Sequence, residues 1–275
     1  AETARVIRSH PAVAQRSVRC NIEADSLNSA LLDPAATEGG EAFNLLIKEV
    51  VREMTVKSGQ KCTAIRRVFV PRALYAATAQ AIGARLAKTT VGNPRNEATR
   101  MGALVSREQY DHVLAGIAHL KTEAELLYDG AAAALVDADP AVAACVAPVL
   151  LGTQDPVGAK VLHEVEVFGP VATLMPYDSE AQVYALIRRG EGSLVASVYS
   201  EDPAFIARAA AELADSQTGH GNVMPMSQHG GPGRAGGGEE LGGLRALGFY
   251  HRRSAVQASA AALDVLAASG TPFKP

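Results

Sequence analysis

Cys62 is the residue of this 275-residue chain whose setting most favours covalent chemistry. It follows Ser58–Lys61, where an apolar helical pattern stops and a strand-like pattern begins. Gly59 predicts the turn between them, because glycine tolerates the left-handed backbone that ends helices. A thiol on a short turn between two rigid elements suits a nucleophile, since the scaffold on both sides fixes its position.

The charges around Cys62 bear on its reactivity. Positive neighbours lower the pKa of a thiol, so Lys61 and Arg66 would favour the reactive thiolate. Solvated side chains that point away from the sulfur are the commoner arrangement. The alternative for Cys62 itself is a packing role, since free cysteine is among the most buried residue types.

Glu23 is the second candidate for chemistry. The alternating stretch Arg16–Ile22 predicts a strand, so Glu23 would lie at or just past the carboxyl end of that strand. Ligands of open α/β sheets collect outside the carboxyl ends of their strands. A solvated loop acid is the alternative, and the residues alone favour it.

The elements around these residues follow from hydrophobic spacing. A helix ahead of Cys62 is predicted by apolar residues three and four positions apart, which mark one buried face. These residues are Phe43, Leu46, Ile47, Val50, Val51 and Met54. After the cysteine, Arg66–Val70 predicts a strand closed by Pro71.

Further along, predicted helices alternate with apolar strands as far as residue 213. The strands are Glu125–Tyr128, Val149–Gly152, Val171–Met175 and Ser193–Tyr199. The helices in this range are Arg72–Lys88, Arg107–Leu120, Glu180–Arg188 and Pro203–Leu213, and a short helix, Thr3–Ser9, is predicted before Glu23. This alternation predicts an α/β fold of three layers, α-β-α, in which helices cover both faces of a mostly parallel sheet.

Residues 219–243 contain ten glycines. Such a stretch can cradle phosphate groups with its backbone N–H groups. It lacks the Gly-Lys-Ser/Thr ending of a P-loop, however. A mobile, close-packed surface loop is the favoured interpretation. After it, Ala255–Ala268 predicts an alanine-rich helix.

Composition excludes several classes of function. A net charge of −3 and a pI near 6.2 do not indicate the excess of positive charge that binds nucleic acid or an anionic membrane. The longest apolar stretch, Ala141–Leu151, is too short to span a bilayer. The three cysteines and the scattered histidines form neither a disulfide framework nor a metal motif. We expect no metal, no nucleic-acid or membrane partner, and a reducing cytoplasm.

Four motifs, in this order along the chain, resemble those of the aldehyde dehydrogenase superfamily. They are Asn21–Asn28, Ser58–Ala64, Glu166–Pro170 and Gly230–Gly243. The first and the last are similar to one branch, the semialdehyde dehydrogenases that act on CoA-linked products of aerobic phenylacetate and benzoate breakdown. The resemblance covers nearly the whole chain and implies the catalytic domain of that family.

The resemblance implies that a CoA-linked aldehyde is oxidised to the carboxylic acid with NADP or NAD, family habit favouring NADP. Cys62 would attack the aldehyde carbon, and Glu23 would activate the water that hydrolyses the resulting thioester. Glu166 resembles the residue that holds a cofactor ribose, and Phe168 the residue that packs beside the nicotinamide. Glu240 resembles a glutamate of the C-terminal tail that is sometimes placed in the proton path.

The resemblance also divides the chain. Residues 1–23 would be a remnant of the cofactor-binding domain, 24–235 the catalytic domain, and 236–275 a C-terminal tail and helix. The N-terminal half of the family has no counterpart here, so we expect a fragment that binds NAD(P) poorly and turns over little. The chain also passes directly from Ser216 to Gln217, where the branch normally has a strand-length segment. The family assembles through strands near the chain's end, which predicts a homodimer or a higher homo-oligomer.

Two other classes of function stay open. A cysteine enzyme that transfers or hydrolyses acyl groups without nicotinamide would need a histidine beside its thiol. The sequence offers three distant candidates: His163, His220 and His229. The chain could also be a non-catalytic module for oligomerisation or scaffolding.

Overall fold

The computed structural model describes residues 2–214, 230–238, 244, 247–250, 259–260, 264 and 268. Contacts divide the chain into two units, residues 1–240 and residues 241–275. The predicted helix Ala255–Ala268 falls largely outside the described residues, as does the junction of Ser216 with Gln217. Within the described part of the chain, no helix is long and apolar enough to cross a lipid bilayer.

One sheet of six strands runs through the described part of the first unit. Its strands are β1 (Ser29–Leu32), β2 (Arg67–Pro71), β3 (Glu125–Asp129), β4 (Val149–Gly152), β5 (Val171–Tyr177) and β6 (Ala196–Tyr199). They lie in the order β3-β4-β5-β2-β1-β6, and every neighbouring pair is parallel except β3 with β4. The prediction of a mostly parallel sheet is therefore confirmed.

Helices lie on both faces of this sheet. In chain order the α-helices of the described residues are α1 (Glu2–Ser9), α2 (Pro11–Gln15), α3 (Glu41–Thr55), α4 (Tyr75–Leu86), α5 (Arg107–Leu120), α6 (Val161–Glu164), α7 (Glu180–Arg188), α8 (Pro203–Leu213) and, in the second unit, α9 (Leu247–Tyr250), and those on the faces of the sheet are α3 to α8. Buried residues of α3 and α4 form one apolar core with the sheet, and those of α5, α6, α7 and α8 form another.

Alternate residues of each central strand supply the two cores. Leu31 and Phe69 face the core of α5 to α8, whereas Leu32 and Val68 face the core of α3 and α4. A fully buried leucine contributes roughly 2 kcal/mol through the hydrophobic effect. The strands are therefore apolar on both faces, as parallel strands between two helical layers require. The three-layer prediction is confirmed.

The unit of helix, turn and strand around Cys62 is also as predicted. All six apolar residues of the expected helical face are buried in α3. Lys57, Ser58 and Gly59 then take φ values of 53°, 55° and 70°, so three left-handed residues reverse the chain. Each non-glycine residue in this region costs roughly 1–2 kcal/mol. The Ser58 hydroxyl stabilises the turn by donating to Gly102 O at 2.8 Å.

The predicted strand Arg16–Ile22 is wrong. Its first two residues form a turn, the rest belong to no regular element, and Val18 is 51% exposed. An alternating stretch becomes a strand only where a neighbour pairs its backbone and a core covers its apolar face. The first strand is instead the short run Ser29–Leu32, whose residues are buried on both faces.

Candidate active site

A cavity of about 380 Å³ lies where four mutually parallel strands begin. Its walls come from the segments just ahead of β1, β2, β5 and β6 and from the glycine-rich stretch. The lining residues are Glu23, Ala24, Ser26, Cys62, Glu166, Phe168, Leu194, Gly230 and Ala235. The expectation that Glu23 follows the carboxyl end of a strand is therefore wrong. The strand expected before it does not form, so Glu23 lies on the segment that enters β1.

Four of the five predicted site residues line this one cavity. Cys62 and Glu23 are both exposed to solvent, and the Phe168 residue is 38% exposed. The side chain of Glu166 is only 8% exposed. Glu240 lies outside the described residues. The structure thus brings an exposed thiol and an exposed carboxylate to the same space, together with a buried carboxylate and an aromatic ring.

Asn28 fixes the backbone of the Cys62 turn. Its side chain is fully buried, and its Nδ2 donates to Cys62 O at 2.8 Å and to Ala64 O at 2.9 Å. Its Oδ1 accepts from Ser26 Oγ at 2.7 Å and from Val195 N at 2.9 Å. These four bonds use both donors of the amide and both lone pairs of its oxygen. The turn is therefore tied to the segments that enter β1 and β6.

Lys61 is directed toward α3. Its Nζ lies 2.8 and 3.1 Å from the two carboxylate oxygens of Glu53, a buried residue of α3. The two opposite charges attract each other at this distance. Lys61 therefore serves chiefly to hold the turn against the helix.

Arg66 and Glu166 form a buried ion pair behind the cavity wall, with Arg66 Nε 3.3 Å from Glu166 Oε1. The other two guanidinium nitrogens each donate at 2.9 Å, one to Gly169 O and one to Gly59 O. Glu166 Oε2 accepts from Ser26 N at 2.9 Å. Burial raises the pKa of Glu166 and lowers that of Arg66, because a low dielectric disfavours both charges, and their mutual attraction opposes both shifts.

The described part of the glycine-rich stretch, residues 230–238, packs against the segment that carries Glu23. The backbone N–H of Ala24 donates to Ala235 O at 3.0 Å. A Cβ atom on Gly238 would crowd the backbone of the residue before Glu23. The interpretation of close packing is confirmed for these residues, and glycine is needed here because the two backbones approach so closely.

His163 is buried away from this cavity. Its Nδ1 accepts from an Arg67 guanidinium nitrogen at 3.0 Å, so its Nε2 carries the proton and donates to Pro156 O at 2.9 Å. Burial, together with the charge of Arg67, lowers the pKa of His163 to about 4. It does not line the Cys62 cavity. The two other candidate histidines lie outside the described residues: His220 and His229.

Three residues that hold the site received no firm role from the sequence. The motif that contains Ser26 and Asn28 predicts no function for either residue, and the sequence indicates Arg66 only as a charge near the thiol. A signal existed for two of them, because polar residues that lead into a fully buried strand must find hydrogen-bond partners. The identity of those partners, however, depends on distant segments. Among the described residues, no group of three or more His, Cys, Asp or Glu is arranged to hold a metal ion.

Curated relatives were found for this chain. A 3,4-dehydroadipyl-CoA semialdehyde dehydrogenase from Aromatoleum evansii is 49% identical over 247 residues, covering 84% of this chain and 48% of that protein. Protein MaoC from Klebsiella aerogenes is 42% identical over 176 residues, covering 58% of this chain and 50% of that protein. The chain therefore spans about half the length of the curated relatives it matches.

Solved structures share the fold. A betaine aldehyde dehydrogenase variant from Staphylococcus aureus, crystallised in complex with NAD+, superposes with a TM-score of 0.75 at 22% identity, over 89% of this chain and 48% of that one. The aldehyde dehydrogenase family profile matches residues 2–256. With a match over most of its length, the chain belongs to the aldehyde dehydrogenase family.

Proposed function

We propose that the protein oxidises an aldehyde to the carboxylic acid, with Cys62 as the nucleophile and Glu23 as the base that activates water. The observation that carries this proposal is the shared cavity, in which the exposed thiol and the exposed carboxylate line one space. Membership of the aldehyde dehydrogenase family supports the class of reaction.

The chemistry requires a residue that is both a nucleophile and a leaving group, and a cysteine thiolate is both. The sulfur of Cys62 forms a bond to the aldehyde carbon, and the negative charge moves to the carbonyl oxygen. The backbone N–H of Cys62 is a donor for that oxygen. This carbon must next give up its hydride, which leaves a thioester. Glu23 then takes a proton from water as the water oxygen attacks the thioester carbon. The carbon–sulfur bond breaks, the acid leaves, and the thiolate of Cys62 is restored.

The residues present fit a nicotinamide cofactor. Glu166 presents a buried carboxylate at the cavity wall, which suits ribose hydroxyl groups, and Phe168 presents a partly exposed ring beside it. When bound, the cofactor accepts the hydride that the carbon attached to Cys62 loses. We propose NADP as the preferred form and NAD as the alternative. We propose that Glu240 takes part in the path along which the proton leaves the site.

We propose a CoA-linked semialdehyde as the substrate. The support is the relative from Aromatoleum evansii, which is named for such a substrate and is 49% identical to this chain. We further propose that residues 24–235 form the catalytic domain, and that the protein works in the cytoplasm as a homodimer or a higher homo-oligomer.

The proposal is tested by Cys62→Ser and Glu23→Gln in the full-length protein, assayed with 3,4-dehydroadipyl-CoA semialdehyde and either nicotinamide cofactor. Reduced cofactor is followed by absorbance and the acyl–cysteine adduct by intact mass. We expect Cys62→Ser to lower turnover by at least about 1,000-fold, since the covalent step is lost. We expect Glu23→Gln to lower it by about 100-fold or more and to accumulate an adduct on Cys62, because the water step loses its base.

Cys145→Ser is the matched control, since Cys145 lies outside the Cys62 cavity. It should leave turnover within about twofold of the unaltered protein. Undiminished oxidation by Cys62→Ser would rule out the proposed nucleophile. Loss of activity in Glu23→Gln without any adduct would remove Glu23 from the water step.

A further inference from the structure

Arg66 is the residue through which two of the family motifs meet. Its side chain is 4% exposed, and each of its three guanidinium nitrogens has a partner. One partner, Gly59, belongs to the turn that carries the thiol. The other two, Glu166 and Gly169, belong to the motif ahead of β5. A planar guanidinium can serve three acceptors in fixed directions, which the single ammonium of lysine cannot do.

Arg66 also contacts the second proposed cofactor residue. Its guanidinium carbon lies 5.3 Å from the centre of the Phe168 ring, within the range of a cation–π interaction. Glu166 and Phe168 are thus both positioned by the same buried cation. Arg66 stands one hundred positions before Glu166 in the chain, so only the fold brings it to these two residues.

The contact with Arg66 opposes the effect of burial on the pKa of Glu166. The carboxyl is buried, and burial raises its pKa because the charged form is poorly solvated. Asp25 adds a like charge that acts in the same direction, whereas Arg66 and the Ser26 N–H act against it. On the other side, Glu53 and Cys62 interact electrostatically with the Arg66 cation.

We propose that Arg66 is a positioning residue that keeps Glu166 ionised and directed at the cavity. An ionised carboxylate accepts hydrogen bonds from both hydroxyl groups of a ribose, whereas a protonated one must donate from one of its oxygens. The proposal rests on the cofactor role proposed above for Glu166. It makes Arg66 part of the support for cofactor binding without contact between Arg66 and the reacting atoms.

The test is a titration of Glu166 by carbon NMR on the whole chain, labelled with ¹³C at the glutamate side-chain carboxyls. Glu166→Gln assigns the signal. In the unaltered chain we expect Glu166 to be ionised at pH 7. In Arg66→Gln we expect its titration midpoint to rise by at least one pH unit, about a tenfold gain in proton affinity. Arg66→Lys keeps the charge and should give a smaller rise.

Arg72→Gln is the control, because Arg72 makes an exposed ion pair with Asp178 at 2.7 Å, whereas the pair of Arg66 with Glu166 is buried. It should leave the Glu166 midpoint unchanged. A folded Arg66→Gln chain with the midpoint of the unaltered chain would overturn the proposal. If that variant does not fold, the unaltered chain and Arg66→Lys decide, since the proposal requires Glu166 ionised at pH 7 in both.

None of these readouts uses aldehyde oxidation. If the protein oxidises aldehydes but Glu166 is protonated at pH 7, the proposed role of Arg66 is wrong and the proposed function stands. If Glu166 is ionised and its midpoint depends on Arg66, but the Cys62→Ser variant still oxidises aldehydes, the proposed function fails and the role of Arg66 stands.

Discussion

The amide of Asn28 supports the Cys62 turn in a way that only an amide can. Its two side-chain N–H groups donate to the carbonyls of Cys62 and Ala64, and its oxygen accepts two further bonds. A carboxylate has nearly the same shape but would place oxygen against both carbonyls. We expect Asn28→Asp to lower the free energy of unfolding by roughly 3 kcal/mol at pH 7, measured by urea denaturation, because two buried bonds are lost and a charge is buried.

Asn44→Asp is the matched control for this substitution. Asn44 is exposed, and its Nδ2 makes one bond, to Gly39 O at 2.7 Å. The same chemical change there should cost less than about 1 kcal/mol, since water can replace the lost partner. Equal losses in the two variants would show that the buried network around Asn28 contributes nothing particular.

The turn between α3 and β2 depends on the absence of a side chain at Gly59. Gly59 has φ of +70°, and a Cβ atom there would overlap the carbonyl of Gly169. Gly39 has nearly the same φ, +76°, with nothing near its missing Cβ. Alanine at either position carries the left-handed strain of roughly 1–2 kcal/mol. Only Gly59→Ala must also push two backbones apart.

We therefore expect Gly59→Ala to lower the free energy of unfolding by at least about 2 kcal/mol more than Gly39→Ala. Urea denaturation of both variants measures the difference. Because both variants carry the left-handed strain, the difference between their free energies of unfolding measures the contact between the thiol turn and the motif ahead of β5. Equal losses would mean that the two segments can separate without cost, and the close approach would then not hold the site.

At the scale of the whole molecule, His163 couples stability to pH. Its folded pKa of about 4 lies below the ordinary value of 6.5, so the folded state binds fewer protons than the unfolded chain. The stability that neutral His163 contributes to the folded state is present above pH 6.5 and is lost as the pH falls toward 4. We expect this group alone to remove about 2 kcal/mol of the free energy of unfolding between pH 7 and pH 5.

His163→Gln isolates this effect, because glutamine does not titrate. Denaturation at pH 7 and pH 5 should show a smaller loss in the variant than in the unaltered chain. Glu166 acts with the opposite sign, since its raised pKa gives stability that is lost as pH rises, and it is present in both chains. An identical pH dependence in the two chains would mean that His163 is solvated.

The sequence by itself determined those helices whose ends and buried faces are marked by neighbouring residues. The predicted helices Arg107–Leu120, Glu180–Arg188 and Pro203–Leu213 have the same bounds in the structure. Each begins after a side chain that caps its first turn, and each carries apolar residues at helical spacing. Such signals act within a few residues, so they can be read without knowing the fold. They also sufficed to predict a mostly parallel sheet with helices on both faces.

The position of the site was decided by tertiary structure. The residues alone favour a solvated acid at Glu23, and only the resemblance of four motifs links it to Cys62. The expected strand before Glu23 does not form, and the cavity lies at the amino ends of the parallel strands. The partners of Asn28 and Arg66 likewise come from distant segments. Strand order and burial fix these contacts, and neither is encoded in the spacing of neighbouring residues.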